Sequence, residues 1–353
     1  MTSTPSDVTV IVRSIGHPLL SRAIESLIRQ TYRPQVVVVV ARPGALLPEP
    51  AMSPEIEVRY LRNETPLLRP QAANAGLRAV KTPFFMFLDE DDCFEPDHIE
   101  LLRDALHAQS SYDIAFARMH VWEGDQIVAT SGSGFWRQRL WAALPFWIHT
   151  ALCRTRLRDA GVSFDDSLAI CEDWDFWIQC SALTDCWFVD SVTANYFRDT
   201  GSSGTGSTGN IDEDRITRGR LAMNAKWSVQ LGEVRTVADD ALRTAQQWMQ
   251  RGDIVQAQRV LTAAIKIDRG NPQILNWLAA CALQLNDASA AAAHATRALQ
   301  TDPLGLVLWL QLARAATRLN DAQTRDHALD RADALAKTER ELQAVQKAKA
   351  DCL

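Results

Sequence analysis

Phe84-Phe85-Met86-Phe87-Leu88-Asp89-Glu90-Asp91-Asp92 sets five apolar residues directly against four carboxylates. The apolar part predicts a buried strand, which puts the carboxylates at the edge of a sheet, where water and a divalent cation reach them. Carboxylates packed this closely repel one another, and an ion such as Mg²⁺ or Mn²⁺ relieves the repulsion. Taken alone, the run supports equally well a solvated acidic turn that opens the next helix, because Pro96 and Asp97 have the character of a helix start.

The flanking sequence favours the first reading. Residues 8–12 are a compact β-branched strand, and residues 21–31 an amphipathic helix with Ala23, Ile24, Leu27 and Ile28 on one face. Residues 36–41 and 58–61 predict two more strands, residues 71–81 a helix, and residues 84–88 the next strand. Alternating strand and helix predicts an α/β domain with a mostly parallel sheet covered on both faces. Ligands of such sheets bind beyond the carboxyl ends of the strands, where Asp89, Glu90, Asp91 and Asp92 fall.

At 353 residues the chain has room for two domains, and 47% hydrophobic residues fill ordinary cores. A net charge of −6 argues against general affinity for nucleic acid or anionic lipid. The seven cysteines are scattered, odd in number and never spaced C-x-x-C, which disfavours zinc and a disulfide framework and fits reduced thiols. Residues 1–7 are polar without a signal-peptide pattern, and no apolar run is long enough to span a bilayer. The expectation is a cytoplasmic protein without a transmembrane segment, compatible with peripheral contact at the inner face of the membrane.

After about residue 230 the composition turns to Ala, Leu, Gln and Arg, and the chain repeats. The turn pairs Gly252-Asp253, Asn286-Asp287 and Asn320-Asp321 recur every 34 residues. The same register links Trp248, Ala282 and Ala316, and links Ala264, Ala298 and Ala332. A period of 34 with small residues at helix crossings resembles tetratricopeptide repeats, although Arg325 stands where earlier units carry Ala257 and Ala291. Such arrays bind peptides or partner proteins.

A second acidic group, Glu172-Asp173-Trp174-Asp175, opens an amphipathic helix after the turn Phe164-Asp165-Asp166-Ser167-Leu168. Acidic residues suit a helix N-terminus for dipole reasons alone. A carboxylate among aromatic residues can also have its pKa raised enough to serve as a general base.

Roughly the first 225 residues resemble family 2 glycosyltransferases of the GT-A fold. The resemblance is carried by residues 8–12 with Arg13-Ser14, by residues 22–34, by Ala72-Ala73-Asn74-Ala75-Gly76, by the Leu-Asp-x-Asp-Asp run ending at Asp92 (a DXD motif), and by Cys171 to Ile178. It implies inverting transfer of a sugar, of the hexosyltransferase type, from a nucleotide-sugar donor with a divalent cation. It would make Asp91 the main metal ligand, Asp89 a group near the metal or ribose, and Asp173 the base, with Asp175 its rival. Asn74 is placed to contact donor phosphate or ribose, or simply to cap its helix. Arg13 or Arg69 would counter the pyrophosphate charge unless it is an ordinary surface arginine. The tract Thr200 to Gly209 would form a lid with Arg198 near the phosphates, or a plain loop. The chain departs from the family where residues 40–43, Val-Ala-Arg-Pro, lack the carboxylate that reads uracil, where Ala73 replaces an arginine, and where Asp199 stands near an expected histidine. These departures put UDP in doubt as the donor nucleotide.

The sequence thus predicts a GT-A glycosyltransferase domain at residues 1–230 and an all-α tetratricopeptide-like domain at residues 238–353. The expected acceptor is a protein or a glycan, with the repeats aiding acceptor or partner binding. The alternative is a catalytically idle adaptor working through its repeats, against which Asp89, Asp91 and Asp173 count.

Overall fold

The structure, a computed structural model, describes residues 6–47, 56–141, 144–200 and 213–352. The chain divides into two compact units, Met1–Ser133 with Leu144–Ser228 and Gly134–Ala143 with Val229–Leu353. The first contains β1 (Val8–Ser14), α1 (Leu20–Ile28), β2 (Gln35–Val40), β3 (Val58–Arg62), α2 (Arg69–Ala79), β4 (Phe84–Asp89), β5 (Cys93–Phe94), α3 (His98–Ala108), β6 (Ile114–Glu123), β7 (Gln126–Ser131), β8 (Ala151–Arg154), α4 (Arg156–Asp159), α5 (Glu172–Leu183) and β9 (Cys186–Phe197).

These strands form one sheet in the order β3-β2-β1-β4-β8-β6-β9-β5, with β7 also paired to β6. The first four strands are mutually parallel. Beyond them the sheet is mixed, because β8 runs antiparallel to both β4 and β6, while β9 runs parallel to β6. All seven residues of β1 are buried, as are the five apolar residues of β4. Burial on both faces suits parallel strands covered by helices and explains why they read as continuous apolar runs.

Strand order steps outward from β1 to β2 and β3, then returns to place β4 on the other edge of β1. Such a reversal opens a crevice at the carboxyl ends of the two central strands. Register then fixes which residues meet there, because Arg13 lies beside Asp89 across the β1–β4 pairing. Helix α2 lies close to this pair. A Cβ on Gly76 would come within 2.2 Å of Ile11 Cγ2, so only glycine permits that approach.

The second unit holds the later part of α6 (Glu213–Gln250), then α7 (Ile254–Ala264), α8 (Pro272–Gln284), α9 (Ala288–Thr301), α10 (Leu306–Arg318), α11 (Ala322–Leu335) and α12 (Glu339–Cys352). The 34-residue period has a local physical cause. Gly252, Asn286 and Asn320 take positive φ angles of 79°, 61° and 56°. Such a residue ends a helix, and the next N–H turns back onto it. The Asp253, Asp287 and Asp321 amides donate to the carbonyls of Trp248, Ala282 and Ala316 at 3.0, 2.9 and 2.9 Å. Each aspartate then caps the following helix, accepting from the N–H three residues on. Ala257, Ala291, Ala264, Ala298 and Ala332 are buried at the crossings. Arg325 breaks the pattern by running outward to pair with exposed Asp326 at 2.8 Å.

The segment Gly134–Ala143 was not assigned to the repeats by sequence, yet it packs with them. Phe135 and Leu140 are buried, Arg137 donates to the Ile267 carbonyl at 3.0 Å, and Asn271 donates to the Gln138 side chain at 3.0 Å. No helix among the described residues is long and apolar enough to cross a membrane. If the caps maintain the register, Asp287→Ala should lower the stability of the repeat unit by about 1 kcal/mol in urea denaturation, whereas Asn286→Gly should be nearly neutral. Equal losses in the two variants would contradict this account.

Candidate active site

Arg13, at the end of β1, is almost fully buried. Its Nε donates to Asp89 Oδ1 at 2.8 Å and its second terminal nitrogen to Asp89 Oδ2 at 2.9 Å, a two-pronged grip at the end of β4. The remaining nitrogen reaches Glu172 Oε1 at 3.4 Å, at the start of α5. Arg13 therefore joins the two acidic motifs, 83 residues apart in sequence, at one point in space. Arg69, at the start of α2, completes the cluster at 3.6 Å from Glu172. Burial alone would lower the Arg69 pKa, but the charges of Glu172, Asp89, Asp173 and Asp91 raise it above its ordinary value.

The four consecutive carboxylates have four different fates. Burial opposes the charge on Asp89, but Arg13 and Arg69 overcome it and hold its pKa below the ordinary value. Glu90 turns the other way and caps the β1–α1 loop, accepting from Ser14 Oγ at 2.6 Å, the Ile15 N–H at 2.9 Å and the His17 N–H at 2.8 Å. Asp92 is buried, 3.4 Å from His149 Nδ1, and accepts from the Phe197 N–H at 3.1 Å. Burial and the charges of Asp91 and Asp89 raise its pKa. Asp91 remains partly exposed, its pKa pushed up to about 6 by burial and by Asp89.

Helix α5 begins on a strained residue. Cys171 precedes it with φ 65°, in a left-handed conformation that costs a non-glycine residue of order 1–3 kcal/mol. Glu172 then turns inward to Arg13, while Asp173 stays partly exposed. Burial and the adjacent Glu172 push the Asp173 pKa up to about 7. Asp175 is fully buried and saturated: Trp227 Nε1 donates to it at 2.7 Å, Gln179 donates at 2.7 Å, and Lys226 Nζ lies 2.8 Å away. Trp227 and Lys226 arrive from α6, so the engagement of Asp175 was invisible in the local sequence.

The other residues singled out from sequence fall into two groups. Arg13, Arg69, Asp89, Asp91 and Asp173 share the cluster just described. Asn74 instead clamps the turn before α5, donating to the Phe164 carbonyl at 2.8 Å and Asp166 Oδ1 at 2.9 Å, and accepting from the Phe164 N–H at 2.9 Å. It also lines a cleft of about 300 Å³ with Asn63, Gln71, Arg78 and Asp166. Arg13 is committed to Asp89 and Glu172, and Arg198 pairs with Glu123 at 3.1 Å. Of the expected lid, only Thr200 lies within the described residues. Sequence reasoning did not single out Glu172, Glu90 or His149 for individual roles, since each depends on a partner far along the chain.

No group of three or more His, Cys, Asp or Glu side chains able to hold a metal ion occurs among the described residues. The donor set is nevertheless suited to an ion shared with a bound phosphate. Magnesium-type ions in nucleotide sites take one or two carboxylates and draw their other ligands from phosphate and water. Asp91, partly exposed and raised by its acidic neighbour, is such a carboxylate.

Residues 10–162 match the family described as glycosyl transferase family 2, and residues 249–294 match a tetratricopeptide repeat. An uncharacterized glycosyltransferase of Bacillus subtilis, YwdF, is 34% identical over 92 residues, which are 26% of this chain and 34% of that protein. The chain thus spans about a third of that relative's length. Among solved structures, residues 1–349 of Staphylococcus aureus TarS in complex with UDP-GlcNAc align with a TM-score of 0.45 at 14% identity, covering 98% of this chain and 88% of that one. A longer TarS structure gives a TM-score of 0.44 at 13% identity, covering 98% of this chain and 53% of that one. Over residues 10–162 the chain is thus similar to family 2 glycosyltransferases, and over residues 249–294 to a tetratricopeptide repeat.

Proposed function

We propose that the protein is an inverting glycosyltransferase that moves a sugar from a nucleotide-sugar donor to a protein or glycan acceptor. The observation that carries this reading is the convergence of Asp89, Asp91, Glu172 and Asp173 around Arg69, at the crevice between β1 and β4. In this reading Asp91 binds a Mn²⁺ or Mg²⁺ ion together with the donor pyrophosphate, and the ion neutralises charge developing on the departing nucleoside diphosphate. Both oxygens of Asp89 already accept from Arg13, so Asp89 acts by orientation and by its field. Arg69 is the partly exposed cation of the cluster and faces the leaving phosphates, with Arg198, paired with Glu123, the second candidate.

Asp173 takes the acceptor proton in this reading. It is partly exposed, and its raised pKa matches the work of a general base near neutral pH. Asp175 has its oxygens filled by Trp227, Gln179 and Lys226, which supports Asp173 over its rival. No carboxylate follows β2, where Val40 leads into Ala41 and Arg42, so the donor nucleotide is best found by a panel. We place the catalytic domain at residues 1–230 and assign the repeats at 238–353 to the acceptor or a partner protein. A folded chain without the repeats, and with residues 134–143 replaced by a short linker, that still glycosylates its acceptor at the full rate would remove that assignment.

The direct test is mass spectrometry of donor turnover across nucleotide sugars, with Mn²⁺ and with EDTA. One donor should be consumed with Mn²⁺ and not with EDTA, and Asp91→Ala should abolish that turnover in a folded protein. Asp173→Asn should slow transfer by about 10²–10⁴-fold, and Asp175→Asn should act mainly by lowering stability. Normal turnover in EDTA, or a larger rate loss in a folded Asp175→Asn, would contradict these roles. The pH dependence has a definite sign. A base works only when ionised, so transfer should fall as pH drops below about 7. Between the ordinary value of 3.8 and about 7 the native protein holds a proton that the unfolded chain has released, so the Asp173 contribution to stability declines as pH rises through that window. Asp173→Asn should therefore become more stable relative to wild type from pH 4 to pH 8 in thermal melts, and an unchanged or reversed difference would contradict the raised pKa.

A further inference from the structure

We propose that Arg22, on α1, is a positioning residue that sets the pose of Asp91, an inference that rests on the donor-site reading above. One face of α1 carries Arg22 and Ser26, and Gln30 continues the row just past the helix end, each four residues from the last. All three address the stretch that follows β4. The Gln30 side chain donates to the Glu95 carbonyl at 2.7 Å and accepts from the Ile99 N–H at 3.1 Å. Ser26 Oγ accepts from the Phe94 N–H at 3.3 Å. Arg22 donates to the Asp91 carbonyl.

The members of the row differ in what they hold. Ser26 and Gln30 fasten the approach to α3, which is scaffold. Arg22 touches the backbone of Asp91, which stays partly exposed and has no ion-pair partner among the described residues. Its guanidinium also lies over the Phe197 ring, 3.7 Å from the centroid. The Phe197 N–H in turn donates to Asp92 at 3.1 Å. Arg22, Asp91, Asp92 and Phe197 therefore form a closed circuit of contacts that joins α1 to the end of β9. A planar cation packed on a ring, with one nitrogen on a carbonyl, fixes direction as well as distance. The buried Arg22 Nε has no hydrogen-bond partner among the described residues, and the ring and the carbonyl hold the side chain.

Outer groups that orient a metal-binding carboxylate typically set metal affinity by about 10–100-fold. The experiment measures Mn²⁺ binding by loss of its free electron paramagnetic resonance signal, with UDP and in parallel with GDP as the diphosphate, alongside thermal melts and donor kinetics. Arg22→Met keeps apolar bulk on Phe197 and removes the donor and the charge. It should weaken Mn²⁺ binding by about tenfold and lower kcat, while Ser26→Ala shifts only the melting temperature. Arg22→Lys should recover part of the affinity, and Phe197→Leu should reproduce the loss if Arg22→Met fails to fold. Wild-type Mn²⁺ affinity in folded Arg22→Met, or an equal loss in Ser26→Ala, would overturn the role of Arg22 alone. A wild-type protein that binds no Mn²⁺ with either nucleotide would overturn the metal reading beneath it.

Discussion

The guanidinium of Arg13 sits with almost no exposure between Asp89 and Glu172, and the geometry of the cluster follows from that placement. Two carboxylates brought this close without a cation would repel strongly, and burial would drive one of them to take up a proton. A buried charge network contributes little net stability, because desolvation offsets much of the attraction, yet removing one member is strongly destabilising. Its value here is geometric. The parallel register of β1 and β4 sets Arg13 beside Asp89, and the third nitrogen of Arg13 draws in the first residue of α5.

With Asp89 and Glu172 neutralised, the charge left over belongs to Asp91 and Asp173. Each is the residue beside a partnered or buried acid, each stays partly exposed, and each has its pKa raised by burial and an acidic neighbour. One follows the end of β4 and the other lies in the first turn of α5. Arg69 feels both. The strain at Cys171 fits the same picture, since the chain turns through a left-handed conformation immediately before the residues that enter the cluster. A fold optimised for stability alone would not retain that residue and two half-neutralised carboxylates together.

Local features were legible in the sequence. The strands read correctly because burial on both faces leaves continuous apolar runs, as in residues 84–88 and 36–40. The helical period read correctly because each turn is written in two adjacent residues, a left-handed glycine or asparagine and a capping aspartate. Long-range choices were not legible. Nothing near Glu90 shows that it folds back onto the β1–α1 loop, and nothing near Asp175 announces Trp227 and Lys226. Asn74 in sequence suits a ligand contact or a helix cap equally well, whereas in the structure it lies inside α2 and bonds the Phe164 backbone. Residues 134–143 lack the repeat period altogether, so their packing with the repeats came from tertiary contacts alone.

The most direct test of this account is a double-mutant cycle between Arg13→Met and Glu172→Gln, read as the rate of sugar transfer in folded variants. If Arg13 unites the two motifs, each single change disrupts the same arrangement. The double variant should then be little slower than the worse single, with a coupling of about 1 kcal/mol or more. Losses that add to within about 0.5 kcal/mol would mean that the two motifs act independently, and would contradict the central role of Arg13.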